Sequence, residues 1–160
     1  MSYQITRSNQ EDLLAFVATE TQTFGWKADA VAFAVRRKDD AGIPGPVLAA
    51  GVFENFTGPG RAADFSFAMT PGHRMTYGLI EAFTNLAFHP RALNLDRLWM
   101  MAADENLISQ RAMLAIGARF QFRKQAGASN GSDGIVFLMK RVSAEPPAAR
   151  ASRTEEPDED

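Results

Sequence analysis

Residues 98–117 read LWMMAADENLISQRAMLAIG, and their order decides the fold. Residues 98–103 form an apolar run of strand length. Asn106 is a residue type that caps helices, and Ser109, Arg111, Leu114 and Gly117 follow it at helical offsets, with the glycine placed to end the helix. A strand, a capped turn and a short helix arriving in that order make a junction that can hold a cofactor.

Working outward, residues 95–103 complete that strand. Residues 119–124 and 134–140 read as two more strands, with a turn at Ser129-Asn130-Gly131 between them. Upstream, residues 76–88 switch to helical spacing: Leu79, Ala82, Phe83, Leu86 and Ala87 share one apolar face, and Pro90 ends the run. Residues 31–37, 47–56 and 62–69 read as three antiparallel strands, separated by the turn DDAGIPG at 39–45 and by the breaker Gly58-Pro59-Gly60. In the third of these, Phe65, Phe67 and Met69 alternate with Asp64, Ser66 and Ala68, so the two sets lie on opposite faces. Residues 3–7 suit a first strand. Ser8 and Glu11 have the spacing of a capping box for a helix over residues 9–23. The predicted order is β-α-β-β-β-α-β-α-β-β, an α/β domain.

The chain has 160 residues, 46% of them apolar, which suffices for one core of ordinary size. A net charge of −2 and a pI of about 5.7 give no general attraction to nucleic acid or an anionic membrane. Arg and Lys form no stripe that would mark a nucleic-acid partner. With no cysteine and only His73 and His89, the sequence excludes disulfides, thiolate nucleophiles and Cys- or His-rich metal sites. Its start, MSYQITRSNQ, resembles neither a signal peptide nor a membrane span, so the cytoplasm is the expected compartment. Residues 143–160 (SAEPPAARASRTEEPDED) contain three prolines and no large apolar residue. They are expected to form a disordered acidic tail beside a folded domain of residues 1–142.

The pattern Asn106-x-x-Ser109-x-Arg111, closed by Gly117, resembles the acyl-CoA-binding helix of the GNAT acyltransferase superfamily. The element order is also the one expected of the GNAT fold. Val52-Phe53-Glu54-Asn55-Phe56, residues 77–88, Asp96-Arg97-Leu98 and the ending Gly131-Ser132-Asp133-Gly134-Ile135-Val136 look most like a phage and prophage clade of that superfamily. The resemblance covers roughly residues 3–142. In place of the usual Gln/Arg-x-x-Gly-x-Gly/Ala loop the chain has Pro71-Gly72-His73-Arg74-Met75-Thr76-Tyr77-Gly78, which lacks the glycine pair that lets backbone N–H groups approach a diphosphate.

The resemblance implies an acetyl-CoA-dependent N-acyltransferase with an amine acceptor. It places Asp64 as the general base, with Glu54 on the preceding strand in reserve. The backbones of Phe67, Ala68 and Met69, opposite Met100, Met101 and Ala102, would receive the pantetheine arm between splayed strands. Arg74 and Thr76 at a helix N-terminus would meet the phosphates, Asn106 the pantetheine amide or thioester, Ser109 the thiol, and Arg111 a CoA phosphate. Each has a plainer reading as a cap, a core residue or a solvated charge. Many relatives carry a tyrosine acid seven residues after the asparagine, where this chain has Met113. Ser109, Tyr77 or water is then left to protonate the thiolate. The alternative is a catalytically silent GNAT-like binding or virion-associated protein. Homodimerisation stays open, and a phage-encoded protein would work in the host cytoplasm.

If residues 143–160 pack against nothing, deleting them should move the melting temperature by less than about 2 °C, the scale below which under 1 kcal/mol is lost in a domain of this size. Calorimetry on the truncated chain checks this, and a loss of several degrees would show that the tail packs.

Overall fold

The computed structural model describes residues 3–142 apart from Phe24, Pro59 and Gly60; the proposed tail lies outside the described residues. The elements follow in the predicted order: β1 (Tyr3–Thr6), α1 (Gln10–Thr21), β2 (Val31–Lys38), β3 (Pro44–Thr57), β4 (Ala62–Met69), α2 (Tyr77–Phe88), β5 (Arg97–Ala103), α3 (Leu107–Ala115), β6 (Arg119–Lys124) and β7 (Gly134–Lys140). One seven-stranded sheet takes the order β1-β2-β3-β4-β5-β7-β6. Every neighbouring pair is antiparallel except β4 and β5, which run parallel and are joined through α2.

The alternation in β4 sorts the two faces. Phe65 belongs to the larger core, with Phe53, Phe83, Leu98 and Phe137, and Phe67 and Met69 pack against it. Ala68 belongs to the smaller one, with Leu13 and Val17 of α1 and Ala32, Ala34, Ala50 and Val52 of the sheet. Alanines on this second face leave a shallow surface on which α1 rests. α2 covers the first face with Leu79, Ile80, Phe83 and Ala87, the apolar spacing read from the sequence. Val31 to Val35 are buried without alternation because β2 lies inside the sheet and is covered on both sides.

Two local expectations fail. Ser8 and Glu11 do not form a capping box: Asn9 occupies the N-cap in a left-handed conformation with no side-chain cap bond. The adjoining Gln10 amide faces β2 instead, accepting from Ala32 N–H at 2.9 Å and donating to the Ala32 carbonyl at 2.7 Å. That tertiary pairing fixes the start of α1. The turn expected at 39–45 is also shorter. Asp39 accepts from Ile43 N–H through its side chain at 2.7 Å, and Gly42 takes a φ of 77°, so β3 already starts at Pro44.

The closed end of the β4/β5 pair is pinned by charge and backbone together. Arg61 grips Asp96 with two hydrogen bonds of 3.0 and 3.1 Å, and Asp96 N–H donates to the Arg61 carbonyl at 2.8 Å. Arg141, after β7, reaches the same carboxylate at 3.6 Å and donates to the Leu95 carbonyl and to Asn94. The arginines hold the Asp96 carboxyl below the usual carboxylate range, Arg61 most strongly through its hydrogen bonds.

Gly51 is the tightest point of the aromatic core. A Cβ there would lie 2.6 Å from Phe65 Cε2 and 2.9 Å from Phe83 Cε1, two rings already packed at 5.6 Å between centroids. Gly51→Ala should therefore destabilise the domain by about 1–3 kcal/mol, the range for overpacking. Urea denaturation checks it, and an unchanged midpoint would mean that the rings yield freely.

Candidate active site

The parallel ladder between β4 and β5 is short. It runs from Ala62 opposite Arg97 to Phe65 opposite Met100 and stops. Beyond it β4 stays with β3, as Ser66 to Met69 pair with Val52 to Ala49. β5 stays with β7, as Met101 to Ala103 pair with Val136 to Gly134. Each strand follows its own antiparallel partner, so the sheet opens into a wedge with unpaired facing backbone edges.

A cavity of about 960 Å³ lies in this wedge and reaches both faces of the sheet. On the α2 face its wall includes Met75, Ile80 and Met113. On the α1 face it includes Glu20, Glu54 and Asp64. One end is therefore apolar and the other carries carboxylates. A ligand with an apolar or amide arm and a cationic reaction partner would find both environments.

Asp64 stands where the wedge begins, opposite Trp99 on β5 and Glu54 on β3. Its carboxyl pKa is raised above the ordinary value, chiefly by burial. The nearby Asp29 adds to this, while a hydrogen bond from Asn55 and the charges of Lys27 and Lys124 oppose it. Asn55 Nδ2 donates to Asp64 Oδ2 at 3.2 Å. Glu54 also faces the cavity, but its carboxylate accepts from Lys27 N–H at 2.7 Å and so anchors the turn before β2.

On the other wall, Asn106 caps α3: its side-chain oxygen accepts from Ser109 N–H at 3.1 Å. Asn106 and Ser109 both border the cavity, as do Phe67, Met100, Met101 and Ala102. The remaining sequence candidates lie elsewhere. Ala68 is buried against α1, and Met69 packs on the main core. Thr76 caps α2, its hydroxyl oxygen accepting from Leu79 N–H at 3.3 Å, while Arg74 and Arg111 are exposed. None of these five borders the cavity.

Sequence reading missed several lining residues. Asn55 stands in the 52–56 segment that carries the resemblance but had no role assigned to it; its one signal was an asparagine interrupting an apolar strand, a residue type that tolerates left-handed backbone. Asp29, which holds it from outside the lining, had no signal at all. Phe122, Lys124, Ser129 and Asn130 reach the cavity from β6 and the loop after it. Arg123 ties that loop down by bridging Asp104 and Asp133 at 3.0 and 3.1 Å.

Comparison of the sequence finds no matching family model and no significantly matching curated protein. Comparison of the structure does find likenesses. A chimera of the Vibrio cholerae spermidine N-acetyltransferase SpeG with hSSAT superposes with a TM-score of 0.70 at 14% identity, covering 88% of this chain and 96% of the other. A candidate phosphinothricin N-acetyltransferase gives a TM-score of 0.65 at 17% identity, covering 89% and 100%. A dodecameric structure of the V. cholerae spermidine N-acetyltransferase gives 0.66 at 14%, covering 96% and 98%. At such identities the likeness is one of architecture. The seven-stranded mixed sheet with its wedge between β4 and β5 and its three helices is the GNAT acetyltransferase fold.

Proposed function

We propose that this protein is an acetyl-CoA-dependent N-acyltransferase that moves an acetyl group to an amine. The observation that carries the reading is the wedge itself, with two unpaired strand edges on its walls and a half-buried carboxylate at its apex. N-acetyltransferases among the structural neighbours support it. The phage-clade resemblance and a cytoplasmic setting, that of the host if phage-encoded, are part of the same proposal and rest on the sequence.

An extended pantetheine arm fits the wedge as an added strand, with the backbones of Ser66 and Phe67 on one side and Met101 and Ala102 on the other. The thioester supplies an activated acyl group, and the chain's task is to deliver a neutral amine to it. In this reading Asp64 takes the proton from the ammonium, and the freed nitrogen bonds to the carbonyl carbon. The carbon–sulfur bond then breaks, the nitrogen gives up its second proton, and the thiolate is protonated through Ser109, Tyr77 or water, which that proton replenishes. Asn106 uses its side-chain oxygen in the cap, which leaves its NH₂ group to donate to the thioester or the pantetheine amide. The carboxylates of Glu20 and Glu54 at the same end of the cavity favour a cationic acceptor. Spermidine is the acceptor named for two of the neighbours. Phosphates would lie outside the cavity mouth at the start of α2, with Thr76 and Arg74, and Arg111 would reach them from α3.

Acetyl-CoA should raise the melting temperature by binding the native state. An amine panel read by free-thiol release should then find an acceptor. Asp64→Asn should lower kcat at least tenfold while leaving acetyl-CoA affinity within about threefold, because the proton it removes belongs to the acceptor. Since the Asp64 carboxyl is raised, the wild-type kcat/KM should fall as pH drops through a limb above the ordinary carboxylate range. No thermal shift at millimolar acetyl-CoA would instead favour a silent GNAT-like fold.

Arg74→Ala should weaken acetyl-CoA binding by about 1.5–3 kcal/mol, the worth of a charged hydrogen bond, and the loss should shrink as salt rises. Titration calorimetry at two ionic strengths reads both effects, and unchanged affinity would place Arg74 in solvent.

A further inference from the structure

β3 and β4 keep register from Ala49 opposite Met69 to Glu54 opposite Asp64, then lose it and resume with Thr57 opposite Ala62. Asn55 and Phe56 of β3 together oppose Ala63, so the strand bulges beside the apex of the wedge. Asn55 takes a φ of 55°, the left-handed region that asparagine enters more readily than most residues.

Both bulge N–H groups donate to one carboxylate: Asn55 N–H to Asp29 Oδ1 and Phe56 N–H to Asp29 Oδ2, each at 2.8 Å. Asp29 sits in a turn closed by Ala30 N–H donating to the Lys27 carbonyl at 3.1 Å. Glu54 fastens that turn through Lys27 N–H. In a regular strand Asn55 would point to the face opposite Glu54 and Asp64. The bulge re-aims it, and its amide reaches Asp64 Oδ2 at 3.2 Å.

We propose that Asp29 is a positioning residue of this site, which holds the β3 bulge so that the Asn55 amide stays on the Asp64 carboxylate. The inference rests on the reading of Asp64 as the base. Occupying Oδ2 leaves Oδ1 directed to the acceptor nitrogen and limits the carboxylate's rotation. A donor to the ionised form also opposes the burial that raises Asp64, lowering its pKa and so favouring the ionised carboxylate that can accept a proton. The charged groups that act on Asp64 or share its end of the cavity are Asp29 and Lys27 on the turn, Glu20 on α1, Glu54 on β3 and Lys124 on β6. Asp29 itself acts on Asp64 in two opposing ways, raising its pKa by charge and lowering it through Asn55.

A double-mutant cycle separates the two, read by NMR titration of the Asp64 side-chain carboxyl and by the pH profile of kcat/KM. Asn55→Gly keeps a residue that accepts positive φ and removes only the donor. The Asp64 midpoint should rise, the acid limb should move up with it, and kcat/KM above that limb should fall several-fold as the carboxylate loses its orientation. In an Asp29→Ala background the same Asn55→Gly change should have little further effect, because the amide is no longer aimed. Should Asp29→Ala fail to fold, Asp29→Asn, which keeps the volume and loses one acceptor, replaces it, and the Asn55→Gly effect should be reduced. An unmoved Asp64 midpoint in Asn55→Gly, or a shift undiminished in the Asp29 background, overturns the proposal. If the midpoints behave as stated but Asp64→Asn retains full turnover, the positioning stands and the assignment of Asp64 as base falls.

Discussion

Four parallel residue pairs between β4 and β5 are the constraint on which the rest of the molecule depends. They join two antiparallel blocks, β1 to β4 and β5, β7 and β6. A fifth or sixth rung would close the wedge and remove the cavity. The ladder begins where Arg61 and Asp96 clamp the strand starts, and it ends where Ser66 and Met101 each follow a different partner. An exposed ion pair of this kind contributes little to stability by itself. Combined with the Asp96 N–H to Arg61 carbonyl bond, it sets where the two blocks meet.

The wall made by α3 is held differently from the one made by β4. α3 spans nine residues and none is buried, so it is too short to be stable alone and has little apolar burial to compensate. Its position depends on polar ties: the Asn106 cap, Gln110 donating to the Ala103 and Asp104 carbonyls, and the Asn130–Glu105 link to the β6–β7 loop. β4, by contrast, lies under the packed rings of Phe53, Phe65 and Phe83. The site thus combines an apex at Asp64 under packed rings with a second wall held by these polar ties and by the packing of Ala112, Met113 and the C-cap Ile116 on the main core.

Asp64 shows how a fold gives one carboxylate an environment that its neighbours lack. Glu54 lies directly across the ladder, yet its carboxylate is engaged by the Lys27 backbone. Asp64 is half-buried and accepts one side-chain donor. Burial disfavours its charge, and the Asn55 amide restores part of the balance.

The sequence by itself determined the element order and the division of β4 into two faces, because both follow from periodicities of about two and 3.6 residues that adjacent side chains carry. It also marked the Asn106 cap, a contact three residues long, and the helix that Thr76 opens. It misjudged Ser8, since the choice between a local cap and the Gln10 bonds to Ala32 depends on a strand 22 residues away. The candidate site was legible in part: Asp64, Glu54, Phe67, Asn106 and Ser109 border the cavity, whereas Ala68, Met69, Arg74, Thr76 and Arg111 do not. Where a ladder stops, which loop reaches across from β6, and that Asp29 would clamp the bulge at Asn55 were decided only by tertiary structure. Those contacts join residues far apart in the chain, and their energy exists only once the sheet has brought them together.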